Sequence, residues 1–160
     1  GVIGLSSDVN LGDCSTYPGN ELELITQQAK GMNKKIGIVS TARITHATPA
    51  AAYARSVHRD FESAVPEGCT EQVDIAQQLI LAMTADDPWV DFAAGGGKRN
   101  FYNATEVDAM GEFGERTDGR DLIAEARDAG IMVAETKDEF LALDFEDGDG
   151  KVLASSPRAT

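Results

Sequence analysis

Between Ser40 and Asp60 the chain reads S-T-A-R-I-T-H-A-T-P-A-A-A-Y-A-R-S-V-H-R-D and gathers both of its histidines, His46 and His58. Three arginines, Arg43, Arg55 and Arg59, share the stretch with the hydroxyls of Ser40, Thr41, Thr45, Thr48 and Ser56. Guanidinium, imidazole and hydroxyl groups in one place suit a small anion, a metal ion, or both. The knot is out of character with its surroundings, because the formal net charge of the chain is −13. An anion that binds such a protein must be held by local positive charge.

The flanking sequence says what positions these groups. Lys35 to Ser40, with Ile36, Ile38 and Val39, is β-branched and short of polar residues, which predicts a buried parallel strand. Thr41 to Thr45 then leaves the sheet at the strand's carboxyl end, where open α/β folds place their ligands. Thr48-Pro49 predicts a helix start, with threonine as N-cap and proline at the first helical position. Ala50 to Arg55 continues it with strong helix formers. A strand, a polar loop and a helix N-terminus together make an anion site.

The run T-H-A-T-P-A-A-x-Y-A-x-S-x-x-R resembles the metal and phosphate segment of the alkaline phosphatase family. The likeness continues through G-N-E at Gly19 to Glu21, the run Gly95-Gly96-Gly97-Lys98, and D-G-R-D-L at Asp118 to Leu122, and so covers nearly the whole chain. It implies an α/β fold, three-layer α/β/α with a mostly parallel sheet, of which residues 1–160 form a single partial domain. It implies that Thr48 is a ligand of a magnesium site, that His46 lies beside the same metal, and that Arg59 grips the substrate phosphate. Arg43, Arg55 and His58 are read as structural or surface residues.

Geometry attaches a condition. An unbroken helix would separate Thr48 from Arg59 by about 16 Å of rise. An arginine leaning toward the helix N-terminus recovers only ~6 Å of that. The helix is therefore predicted to end near Ser56 or Val57, with a chain reversal delivering Arg59.

Composition sets the outer bounds. One hundred and sixty residues with a 42% hydrophobic share can build one domain with a real core. No apolar run is long enough to span a membrane, and the acidic balance argues against nucleic acid, whose phosphates would be repelled. With no signal peptide and no initiator Met, the chain is expected to begin inside a longer precursor. Two cysteines, Cys14 and Cys69, cannot make a four-ligand structural zinc site unaided. The residues alone leave them as buried thiols or a bridge. The resemblance to an exported enzyme, whose animal-type members carry a bridge at matching positions, favours a Cys14–Cys69 disulfide and a periplasmic or secreted location.

Along the rest of the chain, Gly1 to Pro18 is turn-rich and predicted to be loop. Asn20 with Glu23 reads as a capping box for a helix running to Gly31. Thr70 is predicted to cap an amphipathic helix carrying Val73, Ile75, Ala76, Leu79, Ile80 and Met83. Trp89 to Ala94 is a second strand, followed by a structural glycine turn that lacks the pattern of a phosphate-cradling loop. Asn103 to Asp118 is irregular, with a short helix at Glu106 to Met110. Asp121 to Ala129 is a helix stopped by Gly130, Ile131 to Ala134 a third strand, and Thr136 caps a last helix to Leu143. This alternation predicts parallel βαβ units. Asp144 to Gly150 is read as a solvated acidic turn rather than a calcium loop, since Lys151 and the lack of a distal Glu spoil the ligand set. Residues 154–160 depart from the family and are read as a non-native tail.

The resemblance further implies a phosphomonoesterase acting on phosphate monoesters through a phosphoserine, with zinc and magnesium as cofactors and a homodimeric parent. The D-S-A nucleophile motif and the D-x-x-x-H, D-H and further His zinc ligands do not occur in the 160 residues. The chain alone is therefore expected to be inactive and to need the remainder of its parent chain as partner. The competing readings are a non-catalytic acidic segment that collects cations or self-associates, and a small enzyme built on His46, His58 and Arg59.

Overall fold

Four short strands lie side by side in a computed structural model that describes residues 1–108, 111–144 and 150–156. They are β1 (Gly37–Arg43), β2 (Phe92–Gly96), β3 (Met132–Ala134) and β4 (Val152–Ser155), all parallel, in the order β1-β2-β4-β3. The helices are α1 (Ile25–Gly31), which precedes β1, and, between the strands, α2 (Ala47–Ala50), α3 (Ile75–Thr84), α4 (Leu122–Asp128) and α5 (Lys137–Leu141). Parallel neighbours need crossovers, and the alternating helices supply them.

Register decides which residues make the core. Ile38, Ala93, Leu153 and Val133 stand opposite one another across the sheet and so share one face. On that face Ile38, Ala93 and Leu153 join a core with Ile75, Leu79 and Met83 of α3 and Leu122, Ile123 and Ala126 of α4. Each large apolar side chain buried there stabilises by about 1.5–3 kcal/mol. On the opposite face α5 sets Phe140 edge-on against Phe92, ring centroids 6.2 Å apart. The result is the expected α/β architecture with helices on both faces.

β1 departs from expectation. It is parallel, but it is the border strand, and Val39 is 75% exposed. It also runs on to Arg43 through a register irregularity after Val39, where Ser40 Oγ accepts the Ala42 amide at 3.0 Å.

Caps explain which helix boundaries the sequence foretold. Asp121 accepts the Ile123 and Ala124 amides, both at 2.9 Å, and Thr136 accepts that of Glu139 at 3.2 Å, so α4 and α5 start where expected. α1 starts later than expected, after Leu24 rather than Asn20. The Asn20 amide is spent elsewhere, accepting from Ser6 Oγ and donating to the Thr16 carbonyl. α3 is capped not by Thr70 but by Asp74, which accepts the Gln77 amide at 2.9 Å. β2 begins at Phe92 because the Trp89 and Val90 amides instead close the end of α3 on the Ala82 carbonyl. The fourth strand, β4, was not expected, and it takes in Ala154 and Ser155. Val107 forms an antiparallel bridge with Phe113, so Glu106 to Asp108 is not helical. Ala109, Met110, the core of the acidic turn at residues 145–149 and residues 157–160 lie outside the described residues.

Three covalent or ionic ties brace this frame. Cys14 is bridged to Cys69, with Cα atoms 5.5 Å apart. Arg116, fully buried, pairs with Asp74 and with Asp118 of the D-G-R-D-L segment. Lys98, 2% exposed, lies 2.7 Å from Glu135 and 3.1 Å from Asp108. Burial lowers the Lys98 pKa, but those two carboxylates outweigh it and hold the ammonium above its ordinary value.

Candidate anion and metal site

At the end of β1 the His46 amide donates to the Arg43 carbonyl (2.9 Å), a tight turn that sets His46 in extended conformation as the residue before α2. The helix therefore begins at Ala47, one residue before Thr48, and His46 takes the N-cap place expected of Thr48. α2 is also far shorter than expected. After Ala50 the chain stays in turn conformation to Tyr53, whose buried hydroxyl donates to the Ile44 carbonyl at 2.8 Å. That bond folds the helix back on its own entry.

The return path follows. Ser56 bridges antiparallel to Ile3, with two backbone bonds of 2.8 Å, which makes this segment extended. Arg55 is held by the Leu22 carbonyl and Gln27 Oε1, a structural role as expected. Ser56 Oγ donates to the His58 carbonyl (2.7 Å), and the His58 ring leans on Phe61. Arg59 then points back, its Nη2 3.0 Å from His46 Nε2. The chain reversal required by the spacing is present, although a four-residue helix and a bonded turn make it instead of a helix ending near Val57.

Two of the three residues singled out for chemistry thus meet. A guanidinium can only donate, so in this contact His46 Nε2 carries its lone pair and the ring proton sits on Nδ1, an assignment made from the hydrogen-bond network. That Nδ1 is buried and has no hydrogen-bond partner among the described residues. Arg59 remains partly exposed, with Asp60 3.9 Å from its Nε. Thr48 is exposed on the first turn of α2, and among the described contacts it bonds to neither partner.

A second set of groups beneath this pair escaped the sequence reading. Glu62 accepts from Arg43 Nε at 2.9 Å and Nη2 at 2.6 Å, from Thr45 Oγ1 at 2.6 Å, and from Asn100 Nδ2 at 3.0 Å. Burial pushes the Glu62 carboxyl up, but the bonds from Arg43 and Thr45 outweigh it and hold its pKa below the ordinary value. Arg43 is correspondingly held above its own. The available signal was slight: Glu62 is the second of two acidic residues that follow Arg59. Asn100 arrives from the turn after the glycine run. That run lies against the end of β1: Gly97 has φ +84°, and a Cβ there would sit 2.7 Å from Arg43 Cβ. The expected turn is confined to Gly97, since Gly95 and Gly96 still belong to β2 and Lys98–Phe101 forms a short 3-10 helix; Gly97 is suited to its place by positive φ and close approach to Arg43.

Elsewhere, a cleft of about 480 Å³ opens at the carboxyl ends of the strands between Ser40, Gly95, Thr136 and Ser155, and it contains none of His46, Thr48 or Arg59. Among the described residues one trio of metal-binding side chains converges, Cys14, Cys69 and Glu71, and both of its sulfurs are spent in the bridge.

The fold is that of an α/β protein with a parallel sheet, in which a guanidinium and an imidazole meet at the head of a short helix beyond a strand's carboxyl end, the end at which such folds place ligands. Residues 1–153 match the alkaline phosphatase family, and the chain belongs to it. It is 40% identical over 137 residues to an alkaline phosphatase of Gadus morhua, covering 78% of this chain and 27% of that protein. It is 38% identical over 135 residues to the tissue-nonspecific isozyme of Gallus gallus, covering 77% and 25%. Among solved structures it is similar in fold to the Thermus thermophilus alkaline phosphatase, with TM-score 0.63, 24% identity, and coverage of 98% of this chain and 31% of that one. It is also similar to a TAB5 alkaline phosphatase mutant with Mg bound in the M3 site, with TM-score 0.58, 22% identity, and coverage of 99% and 35%. The chain spans about a quarter of the length of these two curated relatives.

Proposed function

We propose that this chain is part of a metal-dependent phosphomonoesterase and supplies the phosphate-gripping Arg59 together with Thr48 and His46 of a magnesium site. The observation that carries the reading is the 3.0 Å contact between Arg59 Nη2 and His46 Nε2, which brings residues thirteen apart to one point. Arg59 has donors left to bind two phosphoryl oxygens in a fork. The buried, unpartnered Nδ1 of His46 is a polar group in want of a partner, and a bound water or ion shell would satisfy it.

The donor set fits magnesium in part. Thr48 offers a hydroxyl oxygen, the hard ligand such a cation takes, and His46 holds or orients water beside it. Magnesium is usually held by one or two carboxylates with waters completing its shell, and in this reading that carboxylate, the zinc ligands and the nucleophilic serine are supplied by the remainder of the parent chain. When bound, the metals neutralise phosphoryl charge and lower the pKa of water. The chain's own contribution is to bind and orient: Arg59 fixes the phosphoryl group, and the Glu62 network withholds Arg43 from it. The substrate class is phosphate monoesters, the parent a homodimer of the periplasm or extracellular space.

The test is direct. Purified chain should not hydrolyse p-nitrophenyl phosphate, and turnover abolished by Arg59→Ala would sink the division of labour proposed here. Calorimetric titration of magnesium should show a site lost in Thr48→Ala. Binding that is diffuse, erased by salt and indifferent to Thr48 would favour an acidic cation-collecting surface instead.

A further inference from the structure

Two guanidiniums flank His46. Arg43 stands three residues before it, at the other end of the turn closed by the His46 amide, and Arg59 returns to its ring from the far side of α2. Either could in principle be presented to an anion, and they are not equivalent. Arg43 is engaged through Nε and Nη2 by a single carboxylate, that of Glu62. Among the described residues Arg59 meets His46 Nε2 and, more loosely, the exposed Asp60.

Glu62 does more than occupy Arg43. Its side chain also takes bonds from Thr45 and Asn100, both buried, so it joins the end of β1 to the turn beyond β2. Its backbone is fixed from another side. The Phe61 carbonyl accepts the Ile75 amide at 2.9 Å, and the Glu62 carbonyl accepts that of Ala76 at 3.0 Å, both at the start of α3. The loop that carries Arg59 is therefore anchored three residues downstream to three separate elements. Charge-assisted bonds are the strong members of such a set, and a half-buried carboxylate with its acceptors filled holds its place.

We propose that Glu62 is the positioning residue of this site: it sequesters Arg43 and pins the returning loop, so that Arg59 is the guanidinium set against His46. The inference rests on the reading of Arg59 as the phosphate-binding group, and adds how the fold selects it. Nothing in it needs bound metal or turnover.

The experiment is long-range ¹H–¹⁵N NMR of the whole chain, metal-free and at fixed pH, reading the His46 ring nitrogens and the Arg43 Nε–H. Wild type should show the Nδ1–H tautomer of His46 in excess, and Arg59→Gln should abolish that bias. Glu62→Gln keeps the shape but removes the charge and one of the two acceptor oxygens. With amide dispersion preserved, it should likewise erase the His46 bias and speed Arg43 Nε–H exchange by about tenfold or more. A His46 spectrum unchanged by Glu62→Gln, while Arg59→Gln alters it, overturns the positioning role and leaves the Arg59 reading intact. Should Glu62→Gln fail to fold, Glu62→Asp keeps the charge but shortens the reach to Arg43, Thr45 and Asn100, and must weaken the same His46 bias; an unchanged spectrum again overturns the proposal. If Arg59→Gln itself leaves His46 as in wild type, the contact is absent and both readings fall.

Discussion

Replacing Cys14 and Cys69 by serine opens a covalent loop whose ends are 55 residues apart in sequence. The loop encloses α1, β1, α2 and the whole returning segment with Arg59 and Glu62. In the chain-entropy account, closing a loop of this length removes about 4 kcal/mol of freedom from the unfolded chain. The folded ends have other ties: the Gly12 amide bonds to the Val57 carbonyl at 3.0 Å, and Ile3 pairs with Ser56. The loss should therefore arise in the unfolded ensemble and leave the native site alone. With a urea dependence of about 2 kcal/mol/M, the midpoint falls by about 2 M, and the slope rises slightly as the freed chain exposes more surface. Urea titration of the oxidised protein beside the double serine variant measures both quantities. A loss below about 1 kcal/mol would refute the reasoning. So would amide-shift changes that spread to His46, because the bridge would then be holding native geometry rather than limiting the denatured chain.

Other perturbations give equally definite outcomes. Lys98→Met leaves Asp108 and Glu135 without their shared ammonium and should cost about 3–5 kcal/mol in urea unfolding at neutral pH. Gly97→Ala forces a side chain into a positive-φ position against Arg43, and should cost about 1–3 kcal/mol from the backbone alone. Its circular-dichroism melt should show a clear fall in midpoint. The carboxyls of Glu62 and Glu135 are each pushed up by burial, yet lowered on balance by their bonds to Arg43 and Thr45 and to Lys98, Tyr102 and Arg127. Their stabilisation is present above the ordinary value of 4.5 and is lost as pH falls through the lowered folded values. The urea midpoint should drop on acidification below that point, with a shallower drop in Glu62→Gln and Glu135→Gln.

What the sequence disclosed divides along the range of the interactions involved. α4 and α5 were legible because Asp121 and Thr136 cap their helices within three residues. Arg59's return was legible from rise per residue alone, yet the helix length was not. Its end depends on Tyr53 reaching the Ile44 carbonyl, a contact that no propensity scale encodes. β4 is four residues whose extended form comes from pairing on both sides, with β2 and with β3. Local pattern cannot supply that. Glu62 and Asn100 went unnoticed for the same reason: one is a single carboxylate, the other an amide arriving from beyond β2, and only the folded chain brings them to Arg43 and Thr45. The exposure of Val39 ran against a sequence that looked buried, since a β-branched strand reads alike at the border and in the middle of a sheet.

The order of the strands carries a consequence for how the molecule assembles. β4, near the end of the described chain, lies between β2 and β3, and neither of these touches the other without it. Gly37 must find Phe92, and Phe92 must find Val152, before the middle of the sheet exists. Contacts this distant along the backbone make folding slow, because the entropy of drawing the segments together is spent before pairing returns it. On a ribosome, β3 would wait unzipped until residue 155 emerged, and until then the described strands could form only the β1–β2 pair.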